Sequence, residues 1–172
     1  LADRTGQAML ARIEAATNMP TCVMESVRGL NDATLGAFAQ AMRKADLILL
    51  LGKALDFTLD YGEAPAFDPA CRWVAIDPEG ALVERAAKVK GALLAFGCVA
   101  DPRPAGEALI QRASGKPLRD SAWLNEVHEH IRRRPATWAT LASQTPGKLH
   151  PVEVFRTLQP YLERSPDTVL IC

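Results

Sequence analysis

The sequence lacks long hydrophobic runs, and this absence excludes a membrane-spanning helix. The longest apolar stretches, LILLL and ALLAF, are short, whereas a helix needs about 20 apolar residues to cross a bilayer. The first residues do not show the basic and then apolar order of a secretion signal. We therefore expect a cytoplasmic protein that does not associate with membranes.

The sequence also lacks net charge. Lys and Arg number 20, and Asp and Glu number 20, so the formal net charge is +0 at pH 7. A neutral chain has no overall field that attracts a polyanion. We therefore expect no nucleic-acid partner.

Motifs for common catalytic and metal sites are missing as well. The chain contains no G-x-S-x-G elbow and no G-x-x-x-x-G-K-[ST] loop. His128 and His130 lie two residues apart on a predicted helix, where their side chains face different directions and cannot chelate one metal together. The sequence therefore predicts no catalytic and no metal-binding residues. The scattered cysteines form no C-x-x-C pair and are predicted to be free, reduced thiols: Cys22, Cys71, Cys98 and Cys172.

Helical and strand-like patterns alternate along the first two thirds of the chain. Strands are predicted at residues 21–24, 47–51, 73–76 and 93–96. LILLL and ALLAF are apolar on both faces, as in central strands of a parallel sheet. The pattern predicts an α/β fold with a doubly wound, mostly parallel, Rossmann-like sheet and helices on both faces. Because such folds usually begin with a strand, we expect the first strand to precede Leu1.

The composition changes after Gly115. A polar helix leads to a linker at residues 143–148 that is rich in Pro, Gly, Ser and Thr. We predict a central α/β domain at 1–142, and a linker with the start of another domain at 143–172. A helix, PVEVFRTLQPYLE, and a strand, TVLIC, are predicted in this tail. Phe155 and Leu158 should then not be buried in the main core.

Four residues are candidates for a nucleotide crevice because they follow predicted strands: Gly52, Lys53, Asp77 and Asp101. In open parallel sheets, ligands bind beyond the carboxyl ends of the strands. There a glycine admits a diphosphate, a lysine neutralises it, and an aspartate accepts hydrogen bonds from ribose. Turn formation and helix capping explain the same residue types without any ligand.

The order of these segments resembles the central domain of thiamine diphosphate-dependent enzymes, such as acetolactate synthases, benzaldehyde lyase and related 2-keto acid decarboxylases. The similar passages are MPTCVMESVRGLND, ADLILLLGKALDF, WVAIDPEGALVER and GCVADPRPAGEALI, which together span residues 20–113. The tail HPVEVFRTLQPYLERSPDTVLIC resembles the beginning of the third, diphosphate-binding domain of that family.

The resemblance implies a fragment that is inactive alone. In these enzymes, which act as lyases or transferases, thiamine diphosphate and Mg²⁺ are held by the N- and C-terminal domains. These domains would be the partners of this chain within a homo-oligomeric parent enzyme. The alternative that the residues leave open is a free-standing Rossmann-like nucleotide-binding module.

Some relatives bind a nucleotide in the central domain, namely FAD in acetolactate synthases and ADP in oxalyl-CoA decarboxylase. The flavin-binding pattern has an arginine two residues after the glycine, where this chain has Ala54. It also has a glycine-rich loop before the helix that leads into ADL, and LGAFAQAMRKADL lacks this loop. Both differences argue against FAD and leave ADP open.

Overall fold

The structure is a computed structural model that describes residues 1, 3–113, 120–165 and 167–168. Its contacts divide the chain into two units, Leu1–Arg133 and Arg134–Cys172. The domain boundary expected at residues 142 and 143 stays a prediction. None of the helices in the described part is both long and apolar enough to cross a membrane.

A parallel sheet forms the centre of the first unit, which confirms the predicted α/β class. Within the described residues it has three strands, β1 (Leu47–Leu51), β2 (Arg72–Asp77) and β3 (Leu94–Val99), with β2 in the middle. Both pairings are parallel. The helices of this unit flank the sheet: α1 (Arg4–Thr17), α2 (Phe38–Met42), α3 (Gly80–Lys90), α4 (Pro102–Ala113) and α5 (Ala122–Arg132).

The main core packs around Trp73, which is only 1% exposed. The ring of Phe67 meets it edge to face at 5.0 Å, and the Lys90 Nζ lies 4.9 Å from the centre of the indole ring. The Lys90 Nζ also donates to the C=O of Gly62 at 2.5 Å. Burial lowers the pKa of Lys90, because the charged ammonium loses water. The contacts of Phe67 with Trp73 and of Gly62 with Lys90 anchor the loop between β1 and β2 to β2 and to α3.

The prediction of a strand at residues 21–24 is wrong. The backbone from residue 20 to 25 is irregular by its hydrogen bonding and belongs to no sheet. Its neighbour across a cavity is the edge strand β1, which pairs only with β2 in the described structure. The segment has an apolar pattern suited to a strand, but it has no adjacent strand to pair with, and a strand exists only through such pairing.

Helices α1 and α4 pack against each other beside the sheet. Asp3 caps α1 by accepting the N–H of Gly6 at 2.8 Å. Gly106 of α4 permits the close approach, since a Cβ there would lie 2.8 Å from the Cε of Met9. Two exposed ion pairs join the helices, Arg12 with Glu107 at 2.5 Å and Arg103 with Asp3 at 2.7 Å. Such exposed pairs add little stability, so packing holds the two helices together.

Gly36 separates two short helical pieces between residues 32 and 42. Asp32 caps a short 3₁₀ turn there, and the chain then bends at Gly36, whose φ is +59°. A Cβ at Gly36 would lie 2.5–2.7 Å from three carbonyl oxygens at the end of α5, those of Arg133, His130 and Ile131. Only the short helix α2 remains beyond the bend.

The second unit contains one long helix, α6 (Pro151–Arg164). A capping box begins it: the His150 Nδ1 accepts from the N–H of Val152 at 3.2 Å, and Glu153 accepts from the N–H of His150 at 2.7 Å. Phe155 is 51% exposed and Leu158 is half-buried. Residues 169–172, which carry most of the predicted TVLIC strand, lie outside the described residues.

Replacement of Gly29 by alanine should destabilise the protein far more than the same change at Gly91. Both glycines have a φ of +52°, so alanine strains the backbone at each position, by about 1–3 kcal/mol. A Cβ at Gly29 would also collide with the backbone carbonyl of Thr58, whereas nothing lies within 4 Å of one at Gly91. We expect the free energy of unfolding to fall by about 1–3 kcal/mol more for Gly29→Ala, as measured by urea denaturation. Equal losses of unfolding free energy for Gly29→Ala and Gly91→Ala would show that Gly29 does not lie against the backbone of Thr58.

Candidate functional site

Three of the four candidate residues, Gly52, Asp77 and Asp101, lie at the carboxyl edge of the sheet. Gly52 follows β1 with a φ of +67°, and its N–H donates to the C=O of Ile76 at 2.8 Å. A Cβ at Gly52 would lie 3.0 Å from the Cγ of Pro102, the first residue of α4. Asp77 ends β2, and its C=O accepts from the N–H of Ala100 at 3.1 Å. The ends of β1, β2 and β3 therefore meet, as in sheets that bind ligands at this edge.

Lys53 directs its ammonium group into its own loop. Its Nζ lies 2.8 Å from the Thr58 Oγ1, 3.2 Å from the Asp56 Oδ1 and 3.3 Å from the C=O of Ala54. The side chains of Lys53 and Asp56 are each only 24% exposed. The positive charge of Lys53 is thus balanced by Asp56.

The Asp56 carboxylate holds this loop together. It accepts the N–H and the hydroxyl of Thr58, at 3.0 and 2.5 Å, besides the contact with Lys53. Burial acts to raise the pKa of Asp56, but the hydrogen bonds from Thr58 and Lys53 outweigh it, and the pKa lies below its ordinary value. The carboxylate is therefore charged at neutral pH.

The two candidate aspartates each begin a helix. An oxygen of Asp77, a residue that is 8% exposed, accepts the N–H of Glu79 at 2.9 Å just before α3. An oxygen of Asp101 accepts the N–H of Arg103 at 2.8 Å in the first turn of α4. These are turn and capping bonds, formed two residues along the chain. Both side chains thus have a structural role at the edge where a ligand would bind.

Sequence reasoning did not identify the cluster of Lys53, Asp56 and Thr58. The local signal was present, because an aspartate two residues before a threonine is the pattern of an Asx turn. The pattern does not show that the side chain of Lys53 bends back to the carboxylate of Asp56. Because of this contact, the positive charge of Lys53 in the candidate crevice is already balanced by Asp56.

A cavity of about 370 Å³ lies along the edge of β1 that faces away from β2. All five β1 residues line it, and residues 19–25 form the opposite wall. The remaining lining is mostly apolar: Leu1, Leu10, Ile13, Phe38, Met42, Ala45, Leu59, Phe67 and Trp123. Gly52, Lys53 and Glu25 also line it. Sequence reasoning did not foresee this cavity.

The thiols of two cysteines lie in surroundings that shift their pKa. Burial raises the pKa of both Cys22 and Cys71 to about 11, so these thiols stay protonated and are weak nucleophiles at neutral pH. They are free cysteines, as is Cys98. Among the described residues, no group of three or more His, Cys, Asp and Glu side chains is placed to hold a metal ion.

A search of protein-family models finds no match for this chain, and no curated protein matches it.

Replacement of Asp56 by asparagine should destabilise the protein at neutral pH but not in acid. A carboxyl whose pKa is lowered by folding stabilises the fold above its ordinary pKa of about 4, and this stabilisation is lost as the pH falls through the lowered value. We expect Asp56→Asn to lose about 1–2 kcal/mol at pH 7, and this difference from the unmodified chain to shrink below about pH 4.

Urea denaturation at pH values from 7 to 3 measures this difference. Asp60→Asn is the control, because it removes an exposed carboxylate from the same loop and should change stability little at either pH. A loss for Asp56→Asn that stays constant down to pH 3 would contradict the charge-based explanation.

Proposed function

We propose that this chain is the central, non-catalytic α/β domain of a thiamine diphosphate-dependent enzyme that acts on 2-keto acids or related acyl donors. Its role is to hold the N- and C-terminal cofactor domains of a homo-oligomeric parent in register. Thiamine diphosphate and Mg²⁺ bind to those domains and not to this chain. The protein works in the cytoplasm.

The observation that carries the proposal is the place of the similar segments in the fold. The passage MPTCVMESVRGLND contributes no strand to the sheet. ADLILLLGKALDF contains β1 and Gly52, WVAIDPEGALVER contains most of β2, and GCVADPRPAGEALI contains the end of β3 and the start of α4. These segments build one parallel sheet in chain order and meet at its carboxyl edge. Because these passages coincide with successive strands and their carboxyl ends, the resemblance fits a shared fold better than matches scattered along the chain would.

The bonds at the carboxyl edge support a scaffold role over nucleotide binding. The N–H of Gly52 is committed to Ile76, and the charge of Lys53 is balanced by Asp56. A phosphate would have to displace both partners. Because each hydrogen bond to a charged group contributes about 1.5–3 kcal/mol, a site without them should bind nucleotides weakly.

A free-standing nucleotide-binding module is the second candidate. It is favoured by the gathering of Gly52, Asp77 and Asp101 at one edge, where a purine nucleotide could meet two carboxylates. ADP is then the ligand to test, since Ala54 stands where the flavin-binding pattern has an arginine.

Titration calorimetry separates the two candidates. We expect the chain to bind ADP, FAD and Mg²⁺–thiamine diphosphate with Kd values of about 1 mM or weaker. The protein encoded by the complete reading frame should bind thiamine diphosphate tightly and act on a 2-keto acid. A complete reading frame whose product does neither would overturn the scaffold proposal.

Three variants and one control sharpen the ADP titration. Micromolar binding of ADP by the chain, abolished in Lys53→Ala and in Asp77→Ala, would establish a nucleotide site in this domain, and the activity of the product of the complete reading frame would then decide between the two candidates. Asp56→Asn releases the ammonium of Lys53 from its partner, so at a real phosphate site it should tighten ADP binding about tenfold or more. Under the scaffold proposal, Asp56→Asn leaves the binding of ADP as weak as before. Asp60→Asn again serves as the control.

A further inference from the structure

Strand β3 forms an edge of the sheet whose outer side is open. Among the described residues it pairs only with β2. Most of its residues are exposed, namely Ala95, Phe96, Gly97 and Val99, and the exposed fraction reaches 55% for Phe96 and 60% for Val99. The other edge strand, β1, has one exposed residue, Leu47. β3 is therefore the more accessible of the two edges.

The backbone of β3 presents hydrogen-bonding groups along this open side. The N–H of Ala100, just after the strand, donates to the C=O of Asp77 at 3.1 Å, so position 100 faces β2. In a parallel ladder, alternate residues bond to one neighbour, so positions 96 and 98 also face β2. The N–H and C=O groups of Gly97 and Val99 therefore point away from β2. In the described structure, no backbone hydrogen bond outside the ladder uses these groups.

β3 lacks the features by which edge strands usually avoid association. Such strands carry charged side chains, a proline or a bulge. The sequence of β3, LAFGCV, contains no charged residue and no proline. The register shift in its pairing with β2 lies before residue 96. Residues 96–99 thus form a regular, apolar edge of the kind that accepts another strand.

Charge favours a second copy of this chain as the strand that β3 accepts. The formal net charge is +0, so two copies do not repel each other as a whole. The exposed Lys88 precedes β3 in the last turn of α3, and the exposed Asp101 follows β3. The next charge along the chain, Arg103, is paired with Asp3. Antiparallel pairing of two copies places the beginning of each β3 beside the end of the other, so a basic end faces an acidic end at both ends of the interface.

We propose that two copies of this chain associate through β3, with the two strands antiparallel about a two-fold axis at Gly97. In this register the N–H and C=O of Gly97 pair with those of Gly97 in the second copy, and Phe96 lies opposite Cys98 of that copy. An aromatic ring beside a sulfur is a favourable contact. The two sheets then become one continuous sheet. This inference stands on the exposed edge, and it does not depend on the proposed function.

Sedimentation equilibrium measures this association. We expect the unmodified chain to change from monomer to dimer as its concentration rises from about 1 μM to about 1 mM. Phe96→Lys and Val99→Lys should each raise the dissociation constant about tenfold or more, because a lysine on an edge strand opposes pairing. Phe57→Lys is the matched control, since Phe57 is 60% exposed in the loop between β1 and β2, and it should leave the dissociation constant unchanged. The three replaced side chains are exposed, so the midpoint of urea denaturation should stay the same in each variant.

Hydrogen exchange locates the interface. At a chain concentration of about ten times the dissociation constant, about one fifth of the chain is still monomeric. The amides of Gly97 and Val99 should then exchange about fivefold more slowly than in the dilute chain, since their N–H groups acquire a partner in the dimer. The amide of Cys98 faces β2 and is the internal control. Its exchange should not depend on concentration.

Four results would contradict the proposal. A chain that stays monomeric at about 1 mM would overturn it, as would a dimer whose dissociation constant both lysine variants leave unchanged. Assemblies that keep growing beyond the dimer would overturn it too, because a two-fold pairing through β3 occupies the open edge of each copy and then closes. Slower exchange confined to amides of β1 or of the helices would place the interface elsewhere, which also overturns it.

Discussion

The burial of Trp73 in the middle strand is the interaction on which the first unit depends. Its ring lies in one core with residues of β1, α2, α3 and α5, while Phe67 and Lys90 close over it from the loop and from α3. The loss of so large a buried ring costs about 3–5 kcal/mol in typical cores. The long connection from β1 to β2 is irregular apart from the 3₁₀ segment Phe57–Gly62, and it keeps its place because Gly62 and Phe67 meet this ring.

The sequence predicted the central strands well because their pattern is local. Residues 47–51 form β1 as expected, and the other two strands begin within one residue of their predicted starts. The failure at residues 21–24 has a different origin. Strand formation needs a partner across the sheet, and no pattern within six residues reveals whether that partner is present. The break at Gly36 depends on carbonyl groups about 95 positions away in the chain, so local periodicity could not reveal it either.

The candidate site could be located from the sequence but not characterised. Gly52, Asp77 and Asp101 stand at or just after the ends of the three parallel strands, so they lie at the carboxyl edge of the sheet, where such sheets bind ligands. The hydrogen-bond partner of each polar group at this edge depends on the register of the strands and on the shape of the loops. The N–H of Gly52 faces β2 because of the register of the ladder, and Lys53 turns to Asp56 because the loop bends back. Polar residues at a strand end thus mark the edge of a sheet more reliably than they mark a ligand.

The glycine at position 36 also limits how this sequence can vary through evolution. Three carbonyl oxygens from the last turn of α5 surround the place where any side chain would begin. They belong to the backbone, so no change of neighbouring side chains can make room for a Cβ. Natural variants of this protein should therefore keep glycine at this codon while exposed positions such as Tyr161 drift. A collection of related sequences would reveal the contact between Gly36 and the end of α5 as one invariant residue in a variable stretch.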